Sequence, residues 1–494
     1  MTQTETESRN TGAVAAVPTL RWRGSGRLTA DINPANPAQT VAEVDVADAG
    51  IAAEAVLAAS AAFRDWSARP APARGEVLRR AADILSAGAD GIARDFSREE
   101  GKPLAESTGE VGRAVAVLRY FAGQTLEPDG ETYPSQSPTT FLFARREPVG
   151  VVSIITPWNF PIAIPAWKIA PALAYGNTVT WKPAEIVPHT AVHLATALME
   201  AGLPDGVLNL VLGRGSEVGD VLVGHPEVRA VSFTGSNAVG RAIQAGAAAR
   251  GTKVQLELGG KNPALVMRDA DLAHAAEQVA RGAFLSTGQK CTATSRVMVE
   301  APVFDEFRER LVAIAESWKV GDPLDPSTKL GPLASESQFE TVIGYLEAGA
   351  RDGARAVAGG GAARDEGGGF FVQPTVFTGA APDSRIATEE IFGPVVTLLP
   401  VSGYEEGVRM ANDTVYGLTS SIFTSDLGQA MRFSRDSHAG VVKVNQETAG
   451  VELQVPFGGV KESSSGSREQ GKTAREFFTE WKTVYIEHVP PGGA

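Results

Sequence analysis

The sequence predicts an α/β protein in which two parallel sheets, each wound with helices on both faces, follow one another along the chain. Length comes first: 494 residues exceed the size at which one hydrophobic core keeps growing, so two or three domains are expected. Between residues 149 and 249, short apolar runs alternate with stretches of helical spacing, the pattern of a doubly wound parallel sheet. After the run at 253–258 the alternation restarts, which places a boundary near 258–261.

The elements follow in order. Residues 1–17 hold Thr, Glu, Asn and Ala without a basic start ahead of an apolar core, so a disordered leader over 1–20 is expected rather than a signal peptide. Helices are expected over 49–65 and 74–94, where Ala, Leu and Ile recur between charges, and over 107–125 on Val111, Val115, Leu118 and Ala122. At 127–146, Pro128, Gly130 and Pro134 interrupt polar residues ahead of the β-prone run 140–144, reading as an arm that leaves the helical body and returns. Strands are then expected at 149–155, 178–181, 207–211 and 230–233, with helices at 167–173, 190–200, 215–223 and 239–249. The second unit predicts strands at 263–266 and 295–299 and helices at 271–284 and 302–317. The Gly-rich stretch 356–369 reads as a surface loop and 479–486 as a closing strand with an apolar face.

Composition narrows the function classes. At 43% hydrophobic and 21% charged, the chain has the make-up of an ordinary soluble globular protein. A net charge of −13 lacks the basic footprint of a nucleic-acid binder. The longest uncharged run, 148–167, is broken by Pro157, Asn159, Pro161 and Pro165, so it is a strand and loop rather than a membrane span. One cysteine permits no intrachain disulfide, which suits a reducing, cytoplasmic compartment.

That cysteine, Cys291, sits in Ser286-Thr287-Gly288-Gln289-Lys290-Cys291-Thr292-Ala293, among small and polar neighbours. A lone thiol is either a buried apolar residue or a nucleophile. Phe233-Thr234-Gly235-Ser236-Asn237-Ala238-Val239-Gly240 joins a strand to a helix with two glycines, a turn that suits either a phosphate or plain chain reversal. It is neither the G-x-G-x-x-G fingerprint nor a P-loop. Lys182 and Glu185, just after a strand in Thr178-Val179-Thr180-Trp181-Lys182-Pro183-Ala184-Glu185, form either a ribose-binding pair or a solvated ion pair. Glu257, alone at the end of an apolar strand, is a candidate general base, since burial raises a carboxylate pKa. Asn159, in Thr156-Pro157-Trp158-Asn159-Phe160-Pro161, is a candidate oxyanion donor. The six histidines sit in no supporting motif, and no metal site is expected.

Together with Glu390-Ile391-Phe392-Gly393-Pro394, these segments resemble the aldehyde dehydrogenase superfamily in order and separation, from about Asn33 to Val484. The resemblance implies a Rossmann-type cofactor domain (21–126 and 147–258), a second α/β catalytic domain (259–460) and a small β oligomerisation element (127–146 and 472–494). It implies that Cys291 attacks the aldehyde, that Asn159 and the Cys291 N–H hold the oxyanion, and that Glu257 activates the water that hydrolyses the thioester. Lys168 and Glu469 match positions given proton-relay roles, structural ion pairing being the alternative reading. For the cofactor, the resemblance points to Thr156, Pro157, Trp158, Lys182, Glu185, Gly235, Ser236, Val239, Leu258, Glu390 and Phe392. A carboxylate at Glu185 favours NAD over NADP, with Lys182 leaving some tolerance. The implied partners are a small-molecule aldehyde and copies of the chain itself, as homodimer or homotetramer, with no nucleic acid and no membrane.

Residues 444–459 and 461–471 look most like α-ketoglutaric semialdehyde (2,5-dioxopentanoate) dehydrogenases, so the expected substrate is a small semialdehyde. Succinate semialdehyde or an uncharged aliphatic or aromatic aldehyde is the alternative. Phe160, Lys290 and Phe457 are the expected substrate residues, with Lys290 drawing a substrate carboxylate or lowering the thiol pKa. Gln446 and Glu447 are expected near the substrate entrance, where an acid disfavours an anion. Two other classes stand against this: a cysteine hydrolase, which lacks a histidine base in a supporting motif, and a silent binding protein, which Cys291, Glu257 and Asn159 speak against.

Overall fold

Alanine-rich helical periodicity builds four consecutive helices, Ala49–Ala68, Ala71–Ala87, Ala89–Glu100 and Leu104–Gln124, in a computed structural model that describes residues 17, 19–363 and 367–489. The helix expected over 74–94 is thus two helices. Gly88 (φ −93°, ψ 4°) ends one with its N–H on the Ile84 carbonyl and starts the next, a use of the residue least committed to a helix interior. Ahead of them Asn36–Val46 pairs parallel with Thr19–Arg21 and antiparallel with Arg27–Asn33. No strand was expected there. The leader expected over 1–20 falls outside the described residues except at Val17, Thr19 and Leu20, and the last two belong to this sheet.

The first large sheet runs in the order Ser464–Ser465, Lys253–Glu257, Val228–Thr234, Val151–Ile155, Thr178–Lys182, Leu208–Leu210. All its pairings are parallel except the short Ser464–Ser465 strand, which returns antiparallel onto Lys253–Glu257. Numbered by chain position, the parallel strands stand 3-2-1-4-5, so the winding reverses between Val151–Ile155 and Val228–Thr234. Ligands of open α/β sheets bind outside the carboxyl ends of the strands at such a reversal. Alternate side chains serve opposite faces: Val151, Val231, Phe233 and Leu256 pack into one core, Val152, Ile154, Val179 and Trp181 into another. Two buried faces explain why these strands read as unbroken apolar runs.

The helix between the first two strands runs from Ala163 to Ala174, beginning earlier than the expected 167 because Pro165 is tolerated in a first turn. The second sheet carries Arg355–Ala358, Thr375–Thr378, Val395–Val401, Thr294–Glu300, Asn262–Val266, Thr419–Phe423 and Val441–Val444 in that order, parallel but for the first. The glycine-rich stretch read as a loop therefore begins as an edge strand. A third sheet pairs Thr140–Pro148 with Gly130–Tyr133 and with Thr479–Glu487, both antiparallel. Phe141, Tyr485 and Ile486 are exposed on it. Among the described residues no helix is long and apolar enough to cross a membrane.

One buried ion pair fixes the turn after the first strand. Lys102 donates to Glu110 at 2.7 Å and to the Asn159 carbonyl at 2.6 Å, while the other Glu110 oxygen accepts from the N–H groups of Ile162 and Ala163, both at 3.2 Å. Glu110 thereby satisfies the start of helix Ala163–Ala174 and Lys102 holds the loop before it. Removing one member of such a pair strands a buried charge, which costs about 3–5 kcal/mol. Glu110→Ala is expected to lower the unfolding free energy by about that amount in urea titrations; a loss under about 1 kcal/mol would place the pair outside the constraints on this turn.

Candidate active site

Three successive left-handed residues lead to the thiol: Ser286 (φ 56°), Thr287 (φ 52°) and Gly288 (φ 69°). The first two are non-glycine and need support. Ser286 donates through N and Oγ to the Glu106 carboxylate, at 3.1 and 2.7 Å, and Thr287 Oγ1 donates to the Gly331 carbonyl at 3.1 Å. At Gly288 an added Cβ would lie 2.1 Å from the Gly393 carbonyl oxygen, so only glycine lets this turn lie against Gly393. Beyond it, Asn262 Nδ2 donates to the Cys291 carbonyl at 2.7 Å. Burial pushes the Cys291 thiol above its ordinary range, the Glu390 and Glu257 carboxylates add to that, and the N–H groups of Cys291 and Thr292 oppose it. The surroundings of the resting sulfur therefore disfavour its ionisation.

Glu257 ends its strand fully enclosed. Ser464 Oγ donates to one of its oxygens at 2.7 Å, and a Cβ on Gly458 would come within 2.7 Å of the other. Burial raises its pKa well above the usual carboxylate range and Glu469 pushes the same way, against Ser464, Lys168 and Arg468. Lys168 and Glu469 are brought together as a buried ion pair, with Ser232 Oγ 2.9 Å from the ammonium and Trp167 Nε1 donating to Glu469 at 2.8 Å. Asn159 Nδ2 donates to the Gln289 carbonyl at 2.8 Å, which anchors the amide beside the thiol loop with its second N–H uncommitted.

The residues expected at the cofactor gather along the carboxyl edge of the first sheet. Thr156, Pro157 and Trp158 leave the strand Val151–Ile155, with Trp181 Nε1 donating to Thr156 Oγ1 at 3.0 Å. Gly235 and Ser236 leave the strand Val228–Thr234; Ser236 caps helix Asn237–Ala248 by accepting from the Val239 N–H. Gly240 lets that helix approach Leu258, where a Cβ would meet the leucine at 2.5 Å, and Val239 is left exposed on its first turn. Lys182 donates to the Pro183 carbonyl at 3.0 Å, and Glu185 accepts from the Gly215 N–H at 2.7 Å. Glu390 accepts from the Gly260 N–H at 2.9 Å, and its pKa is raised to about 7, chiefly by burial. Phe392, at φ 59°, meets Trp158 edge to face with ring centroids 5.3 Å apart. A reversal of winding, free N–H groups at a helix start, an exposed apolar side chain and three anchored polar groups fit a dinucleotide.

A cavity of about 290 Å³ ends at Cys291 and Thr292. Phe160, Ile164, Trp167, Val451 and Phe457 supply apolar walls, and Arg113 stands among them, donating to Gln470 Oε1 at 3.0 Å. Burial lowers the Arg113 pKa and Glu452 opposes this. Lys290 does not line the cavity: its ammonium donates to the Arg281 carbonyl at 3.2 Å. Burial lowers its pKa, with Glu447 and Glu106 acting against that. Glu447 is also absent from the cavity lining and lies 3.8 Å from Arg281. Arg113, which lies on the helix expected over 107–125 and was not singled out in the sequence, thus lines the cavity where Lys290 does not.

The aldehyde dehydrogenase family model matches residues 22–484. The chain belongs to the aldehyde dehydrogenase family. It is accordingly an oxidoreductase that converts aldehydes to carboxylic acids, in a family that uses NAD(P). It is 46% identical over 467 residues to an alpha-ketoglutaric semialdehyde dehydrogenase of Bacillus subtilis, which spans 94% of this chain and 95% of that one. Identity is 49% over 464 residues with an alpha-ketoglutarate semialdehyde dehydrogenase of Haloferax volcanii, covering 93% and 96%. A crystal structure of betaine aldehyde dehydrogenase from Staphylococcus aureus in complex with NAD+ is 35% identical and superposes with a TM-score of 0.92 over 97% of this chain and 96% of that one.

A thiol held protonated alkylates slowly at neutral pH, because the thiolate is the reacting form. Iodoacetamide labelling of Cys291 in the resting enzyme is expected to accelerate about tenfold per pH unit from about pH 7 to about pH 9. A rate already level by about pH 8 would show that burial and the two acids do not suppress ionisation.

Proposed function

We propose that the enzyme oxidises the aldehyde carbon of 2,5-dioxopentanoate, preferring NAD as acceptor. The observation that carries this reading is Arg113, a guanidinium in an apolar cavity that ends at the only thiol. A substrate with an aldehyde at one end and a carboxylate at the other fills such a site, and the printed names of the two relatives agree. Glu447 lies outside the cavity lining, and the two carboxylates that do line it, Glu106 and Glu110, are engaged by Ser286 and by Lys102.

In the proposed reaction the Cys291 sulfur bonds to the aldehyde carbon and Glu257, the raised carboxylate facing it, takes the thiol proton. The Cys291 N–H and the free N–H of Asn159 receive the oxyanion. NAD, when bound, supplies the hydride acceptor. The Lys168 and Glu469 pair adjoins Glu257 and is the route offered for the thiol proton towards solvent, which returns Glu257 to its ionised form. Glu257 then takes a proton from the water that attacks the thioester on Cys291 and passes it to the departing sulfur, releasing the acid and the thiol. Glu185, fixed by the Gly215 N–H, sets a negative charge that repels a 2′-phosphate, while Lys182 beside it tempers the preference. The edge strand Thr479–Glu487, with Tyr485 and Ile486 exposed, supports assembly into a homodimer or homotetramer, since an uncovered apolar edge needs a partner. A monomer in light scattering would exclude that assembly.

Charged hydrogen bonds contribute about 1.5–3 kcal/mol, so Arg113→Gln is expected to raise KM for 2,5-dioxopentanoate by about 10-fold to 100-fold with kcat nearly unchanged. Hexanal and benzaldehyde should not respond to that substitution; equal kcat/KM for charged and uncharged aldehydes in the wild type would overturn the substrate reading. Glu257→Gln is expected to give a burst of NADH without steady turnover, whereas unimpaired turnover would remove Glu257 from the hydrolysis.

A further inference from the structure

Away from the active site, two helices bring three metal-binding side chains to one place. His189 and His193 stand one turn apart on helix Pro188–Glu200, so both imidazoles leave the same face. Their rings stack at 4.8 Å between centroids, tilted by 24°. Asp95, on helix Ala89–Glu100, sets its Oδ2 3.1 Å from His193 Nε2 and 3.9 Å from His189 Nε2. The three candidate donor atoms all lie within 4.8 Å of one another.

Tetrahedral coordination at bond lengths of about 2.0–2.1 Å sets ligand atoms about 3.4 Å apart, so ring rotations alone would close this triad on an ion. The frame is already rigid. Glu99, one turn beyond Asp95, is buried and accepts from the N–H groups of His189 and Thr190 and from Thr190 Oγ1, tying the two helices together. His189 turns Nε2 towards Asp95, and its Nδ1 is buried without a hydrogen-bond partner. The triad is part-exposed, with side chains 14%, 28% and 29% accessible for His189, His193 and Asp95, which leaves an entry path and an open coordination position. Arg98 is the opposing charge; it reaches the other Asp95 oxygen at 3.8 Å and is itself 46% exposed, free to swing away.

We propose that Asp95, His189 and His193 form a site for a divalent transition cation, of the zinc or nickel class, that ties the two helices together. Two imidazoles and one carboxylate select such ions over magnesium and calcium, which take oxygen ligands. The site is structural and lies outside the chemistry at Cys291.

The test uses the full chain carrying Cys291→Ser, so that the thiol does not compete for the metal. Calorimetric titration with zinc chloride is expected to show one equivalent bound, cobalt chloride to give visible absorbance of a tetrahedral site, and zinc to raise the thermal midpoint. Replacing both histidines by alanine should weaken zinc binding by more than about 100-fold and erase the thermal shift, and Asp95→Asn should weaken it about tenfold. With Cys291 restored, the double-histidine variant should keep wild-type NADH production. Absence of zinc and nickel binding, or equal binding by the double variant, would overturn the proposal.

Discussion

The close backbone approach at Gly259 and Gly260 is the constraint on which the site depends. Only Leu258, Gly259, Gly260 and Lys261 separate the last parallel strand of the first sheet, Lys253–Glu257, from the first strand of the second, Asn262–Val266. A Cβ on Gly260 would lie 2.4 Å from the Cys291 carbonyl oxygen, and one on Gly259 would lie 2.4 Å from Glu390 Oε2. The same four-residue crossing therefore touches the thiol loop on one side and the Glu390 carboxylate on the other. Glu257 stands at its start and Asn262, which holds the Cys291 carbonyl, at its end. A side chain at Gly260 would have to displace backbone, which relaxes less readily than a side chain.

Electrostatics follow from that compression. Burial raises the pKa values of Glu257 and Glu390, the Glu469 carboxylate adds to the shift at Glu257, and Glu390 and Glu257 add to that of the thiol. Glu469 has Lys168 and Trp167 as partners, and Glu390 has the Gly260 N–H. Glu257 accepts from a serine hydroxyl, with Lys168 and Arg468 favouring its charge.

What was legible in the sequence was what local pattern encodes. The parallel strands announced themselves because both faces are buried, whereas Cys291, Glu257 and Asn159 each kept an ordinary reading and became candidates together, through the order and separation of their segments. The small amino-terminal sheet did not: Arg27–Asn33 has its first side chains exposed and carries no unbroken apolar run. Lys290, expected as a substrate residue, lies outside the cavity lining for a different reason. Adjacency in sequence says nothing about direction, and after three left-handed residues the chain turns the lysine towards Arg281 while the neighbouring thiol faces the cavity. Arg113 was not singled out in the sequence, because its meaning depends on Gln470 and Phe457, which only the tertiary fold sets beside it. The histidines sat in no supporting motif in the sequence, because Asp95 reaches His189 and His193 only across a helix pair.

The placement of Arg113 bears on how selectivity arises. An apolar wall distinguishes aldehydes differing by one methylene by only about 1–3 kcal/mol. A guanidinium held by one neutral amide acts through a different asymmetry. An uncharged aldehyde would cover the cation and strip its water without replacing it, whereas a carboxylate replaces that water with a charged hydrogen bond. Discrimination would then come as much from what the wrong substrate leaves unpaired as from what the right one gains. The apolar residues would set the path to Cys291, and the guanidinium would decide which end of the substrate points away from it, since Lys102, the other cation in the lining, is held by Glu110.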